Sequence, residues 1–339
     1  MHSRLSRRFG GATRRESELY GSVESRIQDQ DSNKEQVDMR KDIEFKAEDG
    51  TTLRGWHYLP DRHSGRVPTI VMAHGFSALK ENYLDKYAEV FAAGGLGALV
   101  FDNRNFGASD GEPRYEIDPW QQVRDYRDAI TFASGLSEVD EERIGVWGSS
   151  YSGAHVIVLG ATDRRIRCVA AQVPLISGHR NARRLIRADM IAAVQKMCQD
   201  DRKARYAGKP PAMIPVVSDD PANKPCALPT ADSYEWFTET AKKRAHGWRN
   251  EVTLRSIEMF LEYEPGAYIE YVSPTPLLMV LAAGDHLTVC DEALSAYQRA
   301  LEPKKLALLK GGHFDAYVKD FEQSSGAACD WFVQHLLKP

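Results

Sequence analysis

Six short runs of apolar residues, 69–73, 96–101, 143–147, 166–173, 276–282 and 305–310, recur along the chain. Each is five to eight residues long; 69–73, 96–101 and 276–282 show the continuous apolar pattern of a strand buried on both faces, and the other three read as strands. Helical segments separate them. Residues 83–93 read as a helix closed by Gly94 and Gly95, and Asp118 can cap a helix that has Pro119 at its first position and runs to about Ala133. Residues 151–160, 291–301 and 321–337 read as helices too. Upstream, 42–47 and 52–59 alternate around the acidic turn Glu48-Asp49-Gly50, which predicts an antiparallel hairpin. Strands alternating with crossover helices predict an α/β fold: a mostly parallel sheet covered by helices on both faces.

The rhythm breaks after Pro174, and no buried strand returns until residue 276. That gap is too long for an ordinary connection. Its pieces read as helices over 180–198, 233–245 and 249–262, around a proline-rich stretch at 208–230. We therefore expect a core of residues 41–175 and 271–339 with an inserted helical cap over 176–270. Residues 1–40 are expected to be a polar N-terminal tail. Its first fifteen residues hold five arginines and no acidic residue, the composition of a mobile basic tail or of an organellar targeting segment.

The chemistry concentrates at the ends of the apolar runs. In Gly148-Ser149-Ser150-Tyr151-Ser152-Gly153, a serine joins a strand to a helix. Such a turn needs small residues two before and two after the serine. Ser150 meets that condition; Ser149 has Trp147 two residues before it, and Ser152 lies a turn too deep. Ser150 is then a candidate nucleophile, and the Tyr151 N–H at the helix start a candidate oxyanion donor. A helix-capping turn without catalysis is the bland alternative. A serine hydroxyl needs a base, and His313 follows the last apolar run in a Gly311-Gly312 loop. Asp285 ends the run before it and can orient the imidazole; Asp291 is a weaker candidate acid. His74-Gly75-Phe76 follows the first run and offers the Phe76 N–H as second oxyanion donor, with His74 orienting the loop. Asp102 to Gly111 reads as a structural loop stitched by Asp and Arg hydrogen bonds.

These residues resemble the α/β-hydrolase fold over about residues 40–339. More narrowly, HGFSALKENYLDKYAEVF, FDNRNFGASDGEPRYEIDPW and GVWGSSYSGAHV are similar to fungal polyketide transferases and thiohydrolases, relatives of dienelactone hydrolases and X-prolyl peptidases. Bacterial hydrolases of unassigned substrate share these motifs. The resemblance implies an enzyme that releases or transfers acyl chains, and that branch tolerates Ser152 in place of the usual Gly.

Taken together, the chain is expected to be a serine hydrolase of an ester or thioester, acting through Ser150, His313 and Asp285. Transfer of the acyl group to an alcohol, a non-catalytic binding protein on the same fold, and cleavage of a carbon–carbon bond or an amide remain alternatives. Trp236 and Trp248 are candidate substrate-binding residues, and with Phe237, Met259, Phe260 and Tyr263 they either line an apolar acyl pocket or pack as ordinary core at helical spacing. Met190 and Met197 read as core. Arg180, Arg183, Arg184 and Arg187 share one helix, either to meet a carboxylate or phosphate or as a solvated face balanced by acids. No His/Cys cluster has ligand spacing and no glycine-rich turn has the phosphate-loop pattern, so neither metal nor cofactor is expected. A net charge of -4 gives no reason to expect nucleic acid, and no apolar run approaches the length of a membrane span. The expected partner is a small-molecule acyl ester or thioester, with a homodimer left open. Five widely spaced cysteines without a CxxC pair suit a reducing compartment, expected to be the cytoplasm.

Overall fold

The computed structural model describes residues 40–338. The tail expected over 1–40 lies outside the described residues, apart from Arg40, which opens the first strand. Strands β1 (Arg40–Lys46) and β2 (Thr52–Tyr58) form the expected hairpin. The chain continues through β3 (Val67–Ala73), helix α1 (Leu84–Ala93), β4 (Gly97–Phe101) and α2 (Pro119–Ser134). Asp118 caps α2, its carboxylate accepting from the N–H groups of Trp120 and Gln121. Next come β5 (Val139–Ser149), α3 (Tyr151–Thr162) and β6 (Ile166–Gln172).

Between β6 and the next sheet strand stand α4 (Gly178–Leu185), α5 (Ile191–Tyr206), the two-residue strands β7 (Met213–Ile214) and β8 (Val252–Thr253), α6 (Ala231–Lys243) and α7 (Leu254–Glu262). The helix expected over 180–198 is two helices. Ile186 leaves helical geometry for an extended backbone, and a short 3₁₀ turn at Ala188–Met190 redirects the chain. The break sets Leu185, Ile186 and Met190 around one cavity. The core resumes with β9 (Leu277–Ala282), α8 (Cys290–Arg299), β10 (Lys304–Leu309) and α9 (Phe321–Phe332).

Eight strands make one sheet in the order β1-β2-β4-β3-β5-β6-β9-β10. Only the β1/β2 and β2/β4 pairs are antiparallel. Strands β3, β4 and β9 are buried at every position, as expected of a sheet covered on both faces. Parallel pairing brings the carboxyl ends of β3, β5, β6, β9 and β10 to one edge, where ligands of open α/β sheets collect. Ser150, Asp285 and His313 all follow strands that end there.

Candidate active site

Ser150 has φ 61° and ψ −116°, outside the ordinary regions for a side-chain-bearing residue. Neighbours hold it there. Its N–H donates to the Gln172 carbonyl at 2.8 Å, and its own carbonyl accepts from Leu175 N at 3.1 Å and Ala154 N at 3.2 Å. Gly148 is obligatory: a Cβ there would lie 2.2 Å from the Ser152 carbonyl oxygen. Ser152 is fully buried, with its hydroxyl 3.1 Å from Tyr126 Oη, so it fills the elbow as part of the core. Ser150 makes no side-chain capping bond to α3. The bland reading of a serine that serves as a cap therefore does not describe it.

The loop after β3 packs directly against this turn. A Cβ on Gly75 would sit 3.0 Å from Ser150 Cβ and 3.4 Å from the Tyr151 nitrogen. Only glycine lets the backbone of the Phe76 loop approach the elbow this closely. The loop is anchored on its far side. His74 Nε2 accepts the Asn103 N–H at 3.0 Å, which leaves the ring proton on Nδ1, 2.9 Å from the Gly75 carbonyl. Burial pushes the His74 pKa down and keeps the ring neutral. Asp102 accepts from Lys80 N at 2.8 Å, Lys80 Nζ at 2.6 Å and Ala108 N at 3.0 Å. Arg104 pairs with Asp49 and Asp125, completing the structural loop expected at 102–111. Lys80 was not legible in the sequence as an anchor, because its partner stands 22 residues away.

Asp285 and His313 meet at 2.7 Å, Oδ2 to Nδ1, and both are buried. Asp285 Oδ1 accepts from Leu287 N at 2.8 Å and Thr288 N at 2.9 Å. Thr288 Oγ1 lies 3.0 Å from Oδ2 and 2.8 Å from the Val173 carbonyl and shares its one proton between these two acceptors. Burial pushes the Asp285 carboxyl up. The His313 imidazole and these donors outweigh it, so its pKa lies below the usual carboxylate value. The Asp-x-x-Thr spacing of 285–288 is a local signal that could have marked Thr288. Asp291 is elsewhere: it sits exposed in the first turn of α8, 2.6 Å from Arg184. The turn after His313 is tied to the elbow through Tyr317 Oη, which donates to Ser149 Oγ at 2.6 Å.

An apolar cavity of about 250 Å³ opens beside Phe76. Ala182, Leu185, Met190, Val194, Leu254, Ile257 and Phe260 help to line it. The two tryptophans expected at an acyl pocket are not among its lining residues. Trp236 stacks on Phe314, next to His313, with ring centres 4.7 Å apart. Trp248 donates from Nε1 to the Ser77 carbonyl at 3.1 Å. Both brace the loops that carry His313 and Phe76, because α6 and the segment after it pack onto those loops. Met190 and Met197, expected in the core, line the cavity at its surface and are 37% and 43% exposed. Arg180, Arg184 and Arg187 face Glu292, Asp291 and Asp189, an acid-balanced solvated face. Among the described residues no group of three or more His, Cys, Asp or Glu side chains converges as a metal site would require, and no helix is long and apolar enough to cross a membrane.

The profile of the X-Pro dipeptidyl-peptidase (S15) family matches residues 49–315. A thiohydrolase of Eupenicillium brefeldianum is 33% identical over 279 residues, covering 81% of this chain and 88% of that protein. A polyketide transferase of a Penicillium species is 30% identical over 298 residues, covering 88% of this chain and 97% of its own. The crystal structure of an alpha/beta hydrolase from Penicillium sp. sh18 aligns with a TM-score of 0.76 at 29% identity, over 88% of this chain and 99% of that one.

Proposed function

The chain belongs to the X-Pro dipeptidyl-peptidase (S15) family and has the α/β-hydrolase fold, and from its thiohydrolase and polyketide transferase relatives we propose that it is a serine hydrolase of ester or thioester bonds, acting on polyketide-type acyl chains. Ser150 Oγ attacks the acyl carbon while His313 takes its proton, and Asp285 holds the imidazole. The oxyanion rests on the N–H groups of Phe76 and Tyr151. The leaving thiol or alcohol departs with the proton from His313. Water, activated by the same histidine, then releases the acid from the acyl-enzyme. One observation carries this: a strained, uncapped Ser150 beside the close-packed Gly75-Phe76 loop. The 2.7 Å contact between Asp285 and His313 supports it.

Residues 176–270 form the cap in this proposal. The acyl chain occupies the cavity lined by Phe76, Leu254, Ile257 and Phe260. Exclusion of water by the cap favours chemistry at a charged transition state. The enzyme works on a small acyl substrate in a reducing compartment such as the cytoplasm, where five free cysteines stay unpaired.

Acyl transfer is the second reading, favoured by the polyketide transferase relative. An alcohol then replaces water in the second step, on the same residues. N-acetylcysteamine thioesters of linear acids, assayed for thiol release with and without an added alcohol, test both. We expect thiol release by the native protein and none by Ser150→Ala. An ester product in place of the acid identifies transfer. No thiol release under any condition refutes the proposed activity.

A further inference from the structure

The turn that carries His313 is fixed from below by a chain of buried polar side chains that the chemistry proposed above does not use. Tyr317 Oη donates to Ser149 Oγ at 2.6 Å. The same Ser149 oxygen accepts from Gln172 Nε2 at 3.1 Å. Gln172 Oε1 lies 3.0 Å from Tyr87 Oη, which is also 2.7 Å from the Ala316 carbonyl and 2.7 Å from Ser324 Oγ. All five side chains are buried.

The two ends of this chain matter. Ser149 precedes Ser150, and the Gln172 carbonyl accepts the Ser150 N–H. Ala316 and Tyr317 lie in the 3₁₀ turn Asp315–Tyr317, directly after His313 and Phe314. Four segments distant in sequence, at residues 87, 149, 172 and 316–324, are therefore joined between the elbow and the histidine turn. Buried hydroxyls without partners are costly, whereas an apolar pair of similar shape can be nearly neutral. A Phe and an Ala would match these two positions in shape, but the Ala would leave the buried Gln172 Nε2 without its Ser149 acceptor. What the polar pair adds is a fixed distance and direction between the two turns. Burial pushes the Tyr317 phenol far above its ordinary pKa, so it stays a neutral donor.

We infer that Tyr317 and Ser149 form a buried latch that sets the position of His313 over Ser150, as positioning residues for the acyl chemistry. This rests on the assignment of Ser150 as nucleophile. The latch touches neither substrate nor reacting atoms. It acts by holding the imidazole within the few tenths of an ångström that proton transfer tolerates, and a misplacement of about 1 Å can cost on the order of 100-fold.

The test is a double-mutant cycle on a p-nitrophenyl ester, with Tyr317→Phe, Ser149→Ala and the double variant. The rate of fluorophosphonate labelling at Ser150 is followed alongside, and thermal unfolding confirms that each variant is folded. We expect Tyr317→Phe to lower kcat by roughly 10- to 100-fold with KM within about twofold, and to slow labelling in proportion. The double variant should be no slower than the slower single one, because both remove the same bond. A folded Tyr317→Phe with native kcat and labelling rate overturns the latch. So does a loss confined to KM or to Tm, or single losses that multiply in the double variant. A native protein that takes no label at Ser150 overturns instead the assignment of the nucleophile.

Discussion

His313 Nδ1 lies 2.7 Å from Asp285 Oδ2, while Asp285 Oδ1 is taken by two backbone N–H groups, those of Leu287 and Thr288. This division of the carboxylate fixes what an amide would do in its place. In Asp285→Asn the oxygen must stay with the backbone donors, so the NH₂ faces His313. Nδ1 then becomes an acceptor, the ring proton moves to Nε2, and the base is lost. A fall of about 10⁴ in kcat is expected, with the fold intact. Asp291→Asn breaks only an exposed pair with Arg184 and should leave kcat within about twofold. Steady-state kinetics of the two variants decide between the two acids.

Gly75→Ala probes the loop proposed to carry the Phe76 oxyanion donor. The new methyl would meet the Ser149 carbonyl oxygen at 2.9 Å and Ser150 Cβ at 3.0 Å, so the loop must retreat. Withdrawal of one oxyanion donor costs roughly 100- to 1000-fold in kcat. We expect a loss of that order with a smaller change in KM. A native kcat would place the second donor outside the Phe76 loop.

Chain-length selection should follow the cavity rather than the tryptophans. Each methylene buried there contributes about 0.8 kcal/mol, close to fourfold in kcat/KM. Across p-nitrophenyl esters from acetate to decanoate, kcat/KM should climb and then level off. Ile257→Trp fills the cavity and should move the plateau to shorter chains. Trp236→Ala should leave the shape of the profile unchanged and lower stability by roughly 3–5 kcal/mol, since its ring packs on Phe314.

Three buried histidines make stability depend on pH. Burial pushes His57 down to about 4 and His155 down to about 3, and lowers His74. His155 is held neutral between Tyr263 Oη and Gln122 Oε1, each at 2.9 Å. Folded pKa values below the unfolded value of 6.5 mean that the unfolded chain binds protons first as pH falls. Stability is therefore full above about pH 6.5 and declines below it, toward pH 4 for His57 and toward pH 3 for His155. The limiting slope is about 1.4 kcal/mol per pH unit for each group, or about 4 for three. Denaturant unfolding between pH 7.5 and 5 should show this decline, and His155→Gln should flatten it by about a third. A stability that does not change over that interval would contradict the burial of these rings as neutral groups.

Much of the architecture was legible because its signals are local. The apolar runs at 69–73, 143–147 and 276–282 are strands, and the spacing of small residues around Ser150 singles it out. Asp285 and His313 were legible because each follows its own strand. Three things were not. The break between α4 and α5 carries no proline or glycine, and Ile186 is extended because tertiary packing turns it toward the cavity. Trp236 and Trp248 announce size and apolarity, yet which loop a ring braces depends on how α6 lies against the sheet edge. The Tyr317–Ser149 bond joins residues 168 apart, and no short-range pattern marks it.

Covalent labelling tests most directly whether Ser150 is the nucleophile. The native protein is treated with a fluorophosphonate and its peptides are mapped by mass spectrometry. One adduct, on Ser150, is predicted, and Ser150→Ala should take none while its turnover falls by roughly 10⁴- to 10⁶-fold. An adduct on Ser149 or Ser152 instead, or a folded Ser150→Ala that still turns over at the native rate, would contradict the account.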